Sequence, residues 1–304
     1  MKTNLLTSMA IVAIMLAGCN NDHEEIDNWK GEIRLSSGLS VQQTRANSAG
    51  VPDTQIAEGQ QIGIYVRKAL PADTYTGYSN VLATADGNGG FSSYSAEMFY
   101  PAGGGGVTIF AYHPYATTSS DEYDFTVEND QSTDANYYKS DLIYSASKEY
   151  ARSKSAHSLT FTHQLSKVVC HLESGAGAPD IAGATVEIIN PERSTKFNRA
   201  TGALAAAVSS TRTENVKFHS TYGAVIPPQT FVKDTPFLIV KLPNATTFVY
   251  TIPNGSGDVD LVMAGSHVYT YNIKVNLTGL TVTSAITPWK KIADVSGNAE
   301  MEEP

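Results

Sequence analysis

Seven histidines and two cysteines are the residues of this chain best suited to metal binding or nucleophilic chemistry. The histidines are scattered, and none is paired at the short spacing that lets two side chains hold one metal ion. His163 and His171 fall in one strand pattern, so we interpret them as hydrogen-bonded core or interface histidines. Cys170 lies in an apolar strand, which favours a buried and unreactive thiol. These residues predict no metal site and no catalytic nucleophile.

A glycine run and an acidic motif resemble binding loops without meeting their requirements. Residues 103–106 are all glycine, but the Gly-Lys-Ser/Thr that completes a phosphate loop does not follow them. Asp86, Asn88 and Glu97 echo a calcium loop, yet Phe91 stands where that loop needs glycine. A hairpin turn that starts at Asp86 is the simpler explanation. We therefore predict no catalytic residue, no cofactor and no enzymatic activity.

The other cysteine, Cys19, follows the pattern of a secretory signal. Lys2 supplies a positive charge, residues 9–17 form an apolar run, and Gly18 directly precedes the cysteine. The run is too short to span a bilayer of roughly 30 Å, and small residues before a cysteine indicate a lipoprotein signal. We predict a signal peptide at residues 1–18 and membrane anchoring through lipid on Cys19. An ordinary signal peptide with an incidental cysteine is the alternative.

The composition agrees with a protein that works outside the cytoplasm. If Cys19 carries lipid, Cys170 has no partner, so disulfides do not hold the fold. A formal net charge of −9 makes nucleic acid an unsuitable partner. The acidic spacer at residues 20–25 is similar to the export signal of some surface lipoproteins, and a solvated linker explains it almost equally well.

Short segments in which apolar and polar residues alternate occur along most of the chain, separated by Gly, Pro, Asn and Asp. This period of two predicts β-strands, and no long segment has the period of a helix. Residues 237–240 are apolar on both faces, which predicts a central strand. The clearest alternating residues are Tyr269, Tyr271, Ile273, Val275 and Leu277. We predict an all-β fold, with two β-sandwiches in series.

The chain length of 304 residues allows two domains of ordinary size. We predict an N-terminal β-sandwich domain at residues 46–155 and a C-terminal β-sandwich domain at residues 156–304. A glycine-rich loop at residues 174–179 is a rival boundary. Within residues 159–172 the apolar side chains change parity, which predicts a β-bulge at Ser166 and Lys167.

A short amphipathic strand and a basic site precede the first predicted domain. Residues 32–41 alternate in polarity, and a Ser/Gly/Pro-rich stretch follows them. Arg45 and Ala46 stand between the two, in the sequence Thr-Arg-Ala. The apolar residues of the strand are Ile33, Leu35, Leu39 and Val41.

The order of these motifs resembles the fimbrillin family of Mfa-like and FimA-like pilin lipoproteins. Six further segments carry the resemblance, at residues 61–65, 110–115, 159–168, 224–230, 264–273 and 286–289. The resemblance implies two transthyretin-like β-sandwich domains in tandem. It also implies a role as a fimbrial subunit or a component of a cell-surface adhesin.

The resemblance further implies a route of assembly. Family members reach the cell surface as outer-membrane lipoproteins, and a trypsin-like protease cuts after the arginine that matches Arg45, before Ala46. The cut removes the lipidated segment 19–45, and a donor strand from the next subunit fills the groove that the first strand leaves. The implied partners are other fimbrial subunits and the outer membrane, with a surface glycan or protein as a further ligand. The implied location is the cell surface and the fimbrium.

Other roles stay open at this point. The tail after Trp289 lacks a period of two and makes a poor donor strand, although Leu280 and Val282 could belong to a strand that swings out. A tip or accessory subunit therefore fits at least as well as a stalk subunit. An uncleaved glycan-binding surface lipoprotein is the alternative, because 16 tyrosines suit sugar stacking as well as strand pairing. A secreted hydrolase is a further alternative.

Overall fold

The alternating pattern of the sequence produces strands nearly everywhere in the protein. In the computed structural model, 53% of the described residues are strand and 3% are helix, which confirms the all-β prediction. The described residues are 28–40, 55–68, 76–177, 179–206, 214–252 and 260–289.

The first nine strands and the single described helix occupy residues 35–174. They are β1 (Leu35–Leu39), β2 (Gln61–Lys68), β3 (Tyr78–Ala85), β4 (Phe91–Tyr94), β5 (Val107–His113), β6 (Glu122–Thr126), α1 (Asp134–Ser140), β7 (Ile143–Tyr150), β8 (His157–His163) and β9 (Ser166–Ser174).

Eleven further strands follow in the described residues. They are β10 (Thr185–Ile188), β11 (Ser194–Asn198), β12 (Ala203–Leu204), β13 (Val216–Lys217), β14 (Ala224–Ile226), β15 (Gln229–Phe231), β16 (Pro236–Lys241), β17 (Thr247–Thr251), β18 (Leu261–Met263), β19 (His267–Asn276) and β20 (Gly279–Pro288).

The largest sheet has seven strands in the order β1-β8-β7-β5-β2-β3-β4. β1 runs parallel to β8, while every other neighbouring pair in this sheet is antiparallel. A tight turn joins β3 to β4, where Asp86 Oδ1 accepts hydrogen bonds of 2.8 Å from the backbone N–H groups of Asn88 and Gly90. These bonds lower the pKa of Asp86 and confirm the predicted hairpin turn.

Two four-stranded sheets and a two-stranded ladder form the second part of the fold. Their orders are β13-β10-β16-β17, β14-β9-β19-β20 and β15-β18. As predicted, residues 237–240 lie in an inner strand, β16, between β10 and β17. Four of the five alternating residues on the β19 segment are buried in a shared core, but Leu277 lies beyond the strand and is exposed.

A three-stranded sheet and helix α1 connect these two parts. The sheet has the order β12-β11-β6, and β6 pairs with β11 over five residues on each strand. Thr133 caps α1, because its side chain accepts the backbone N–H of Asn136. An aromatic-rich cluster packs in this region, with side chains from both parts. It contains Tyr65, Phe110, Tyr112, Phe125, Val127, Tyr137, Leu142, Tyr144, Leu165, Phe197, Val225 and Trp289.

The parity change within residues 159–172 has a different cause from the predicted bulge. β8 pairs with β1 and β7, whereas β9 pairs with β14 and β19 in another sheet. The chain leaves one sheet and enters the other at Gln164 and Leu165. The prediction of a bulge at Ser166 and Lys167 was therefore wrong, because both residues pair without a register shift. A chain that changes sheets also changes which face is buried.

The division into tandem domains at residue 155 stays a prediction. β8 follows that point in the chain but completes the seven-stranded sheet, and the β6–β11 ladder joins residues from either side of it. The described residues from Gly31 onward belong to one compact unit.

Candidate strand-acceptor site

The predicted removable strand lies at an edge of the seven-stranded sheet. Ile33, Leu35 and Leu39 are in or next to β1. Cys19, Val41, Arg45 and Ala46 lie outside the described residues.

Both backbone edges of the segment at residues 31–40 are hydrogen-bonded. On one side β1 pairs with β8 from Leu35 opposite His157 to Leu39 opposite Phe161. On the other side, Ile33 N–H donates to the carbonyl of Met98 at 2.7 Å, and Ser37 N–H donates to the carbonyl of Gly89 at 2.8 Å. Leu35–Leu39 therefore fills a gap between β8 and the chain that includes the β3–β4 turn.

The same segment contributes side chains to the interior of the protein. Ile33, Leu35 and Ser37 are buried, and Leu39 is half-buried. Across the ladder from them, Leu159 and Phe161 of β8 are completely buried. Complete burial of an aliphatic side chain is worth about 1.5–3 kcal/mol. Loss of β1 would expose an apolar groove together with the unpaired backbone groups of β8 and the carbonyls of Gly89 and Met98.

Charged groups contribute little to the attachment of β1. Arg34 Nη2 donates to Glu32 Oε1 at 2.5 Å, but both side chains are substantially exposed. Exposed ion pairs of this kind are worth about 0–1 kcal/mol. The buried side chains of Ile33 and Leu35 contribute more. Gly31, which precedes them, has a φ of +89°, a conformation that favours glycine.

A second feature concerns the C-terminal strand β20, the edge strand that the sequence leaves open as a donor. β20 pairs with β19 along ten residues. Trp289, directly after β20, is only 5% exposed, and its N–H donates to the carbonyl of Ser266 at 2.6 Å. Its ring stacks on His163 with centroids 3.6 Å apart, and Lys167 Nζ lies 5.0 Å from the ring centroid.

His163, beneath Trp289, is also held from its other side. Its Nδ1 donates to Asp141 Oδ1 at 2.9 Å, and both groups are almost completely enclosed. Burial raises the pKa of Asp141, but the charge and hydrogen bond of His163, together with the charges of His113 and Lys167, outweigh it, so the net shift of the pKa is downward. The prediction of a hydrogen-bonded core histidine at His163 is confirmed.

The packing of Trp289 between strands of different sheets was not predicted from the sequence. The motif at residues 286–289 marked the tryptophan but not its partners, because His163 and Ser266 are distant in the chain. Cys170 is free and partly buried, and burial raises the pKa of its thiol.

The described residues contain no group of three or more His, Cys, Asp or Glu side chains placed to hold a metal ion. None of the helical residues in the described ranges forms a segment long and apolar enough to cross a bilayer.

Comparison with known proteins identifies the family of this chain. The model of the fimbrillin-like family matches residues 44–289. The chain belongs to the fimbrillin-like family. A relative from Bacteroides uniformis, named "Putative fimbrium subunit Fim1C", is 25% identical over 312 residues, which cover 99% of this chain and 100% of that protein.

Two solved structures have the same fold as this fimbrillin-like chain. One is a "putative cell adhesion protein" from Bacteroides uniformis, with a TM-score of 0.65, 22% identity and coverage of 86% of this chain and 98% of that one. Another, with the same description, is from Bacteroides ovatus, with a TM-score of 0.66, 19% identity and coverage of 86% and 99%. The names of these relatives describe a fimbrium subunit and cell adhesion proteins.

Proposed function

We propose that this protein is a fimbrial subunit that exchanges β1 for a donor strand of another subunit. The observation that carries the proposal is the double attachment of the segment at residues 31–40, between β8 and the chain at Gly89 and Met98. A replacement must restore backbone bonds and buried side chains together, and an added β-strand does both.

The exchange would follow proteolysis after Arg45, and hydrophobic burial would supply its driving force. Removal of residues 19–45 takes away five acidic and three basic residues, so the net charge changes little. The groove left by Ile33, Leu35 and Leu39 is worth several kcal/mol of lost burial. A subunit with this groove open gains far more from a new strand than from any charge rearrangement.

Strand β20 supports a proposal for the position of the protein in the fibre. Its complete ladder with β19 and the buried ring of Trp289 hold the C-terminal strand in place. A strand held in this way is a poor donor, so we propose a tip or accessory subunit that accepts a strand without donating one. A stalk subunit would need to release β20 from β19 and remove the Trp289 ring from its buried position on His163.

The proposed location is the outer membrane, through lipid on Cys19, before release into the fimbrium. We expect Cys19→Ala to abolish lipidation and leave the precursor uncleaved, because the thiol is the acceptor of the lipid. Metabolic labelling with a palmitate analogue measures this directly. Cys170→Ala is the matched control and should label as the wild type does; normal labelling of Cys19→Ala would contradict the proposal.

Limited trypsin digestion tests the exchange itself. We expect an early cut at Arg45, after which the clipped chain self-associates or binds an added peptide of residues 30–43. The protease must be inhibited before the peptide is added, since Lys30 and Arg34 are themselves cleavage sites. Replacement of Leu35 and Leu39 by Asp in the peptide should abolish binding, because both side chains would place charge against the apolar groove.

An Arg45→Ala chain is the control for this digestion, since it should keep β1 and ignore the peptide. If the clipped wild-type chain stays monomeric, keeps its stability and binds no peptide, strand exchange is excluded. An uncleaved surface lipoprotein, with glycan binding as its tested activity, would then be the better account.

A further inference from the structure

The middle of β1 contains a buried polar group that the fold does not satisfy. Ser37 is 8% exposed, and its Oγ is buried without a hydrogen-bond partner. Its backbone N–H donates to the carbonyl of Gly89, so the backbone donor is satisfied while the side-chain hydroxyl is not. An unsatisfied buried hydroxyl weakens a fold by the desolvation cost of that group.

The next residue weakens the same part of the strand for a different reason. Gly38 lies within β1 opposite Thr160 of β8, and a Cβ placed on it would meet no atom within 4 Å. The φ of Gly38 is not in the left-handed region, so a side chain is permitted there. Glycine inside a strand lowers stability because it loses more conformational freedom than other residues and packs no side chain.

We infer that β1 binds its groove less tightly than the groove allows, and that the groove prefers a donor strand from another subunit that binds more tightly. That donor carries a small apolar residue in place of Ser37, opposite Leu159, and a β-branched residue in place of Gly38, opposite Thr160. This inference rests on the proposed function and adds the residue preference that identifies the partner strand.

The two defects give the exchange a direction. The incoming strand restores the same backbone bonds to β8 and to Gly89 as β1 made, so those bonds alone favour neither strand. The incoming strand lacks the buried hydroxyl and carries a β-branched side chain, and both differences favour its binding over that of β1. The resident strand is sufficient to fold the subunit and is replaced by a better-matched one.

Peptide competition measures this preference. Chain clipped at Arg45, with the protease inhibited, is titrated with peptides of residues 30–43. We expect a peptide with Ser37→Ala to bind about tenfold more tightly than the wild-type peptide, and one with Gly38→Val to bind about threefold more tightly. Ser36→Ala is the matched control, because Ser36 has the opposite strand parity and is only half-buried; it should bind like the wild type.

The uncut chain provides an arm that does not depend on proteolysis. Ser37→Ala and Gly38→Val in the full chain should each raise Tm, while Ser36→Ala should not. If the clipped chain binds no peptide, strand exchange is refuted. The Tm values of the uncut variants then still measure how much Ser37 and Gly38 weaken the packing of β1. Peptide binding with no advantage of Ser37→Ala over Ser36→Ala, or an unchanged Tm for both β1 variants, would overturn the inference while leaving the proposed function intact.

Discussion

Replacement of Trp289 by alanine is expected to lower the free energy of unfolding by about 3–5 kcal/mol, the usual cost of removing a large buried aromatic side chain. The ring is 5% exposed, stacks on His163 at 3.6 Å and lies beneath the ammonium of Lys167. Its loss also detaches the end of β20 from the aromatic cluster. Chemical denaturation of the full chain measures the first effect, and hydrogen exchange of the β20 amides measures the second.

Ile286→Ala is the matched control for Trp289→Ala. Ile286 is on β20 itself but is 58% exposed, so its truncation should cost less than about 1 kcal/mol. We expect β20 to exchange its amide hydrogens much faster than β19 in the Trp289 variant alone. Equal stability losses in the two variants would show that Trp289 does not anchor β20. A tip or accessory role would then no longer be favoured over a stalk role.

Arg199→Ala is expected to lower the free energy of unfolding by about 3 kcal/mol, because hydrogen bonds to a charged group contribute about 1.5–3 kcal/mol each and two are lost. Arg199 is only 2% exposed, and its Nη2 donates to the carbonyl of Thr118 at 2.8 Å while Nη1 donates to Tyr112 Oη at 3.1 Å. The guanidinium carbon lies 5.4 Å from the ring centroid of Tyr65 and 6.0 Å from that of Tyr123.

These contacts join β2 and β5 of the seven-stranded sheet to β6 of the three-stranded sheet and to the turn that directly follows β11. Arg199→Met should cost less than Arg199→Ala, because it keeps most of the apolar packing while it loses the hydrogen bonds and the positive charge over the rings. Arg67→Ala is the control, since Arg67 also lies over an aromatic ring, that of Phe110 at 5.1 Å, but is exposed. Urea denaturation compares the three, and a loss at Arg199 no larger than at Arg67 would contradict the role of Arg199.

The class of the fold could be predicted because strand patterning is local. Residues 237–240 and the alternation from Tyr269 to Val275 show which strands are covered on one face or on both, and the structure agrees. The pairing of those strands depends on residues far apart in the chain. The parity change before Ser166 illustrates the limit, since a bulge and a change of sheet leave the same pattern.

The sequence by itself determined the family, the all-β class and the amphipathic strand of Ile33, Leu35 and Leu39, because motif order and period-two alternation are properties of neighbouring residues. Only the tertiary structure decided that this strand is bonded on both edges, that Ser37 is buried without a partner, and that Trp289 is seated on His163. It also placed Arg199, which by charge alone belongs on the surface, among three tyrosines. Each of these depends on contacts between distant segments, which form only when the sheets pack together.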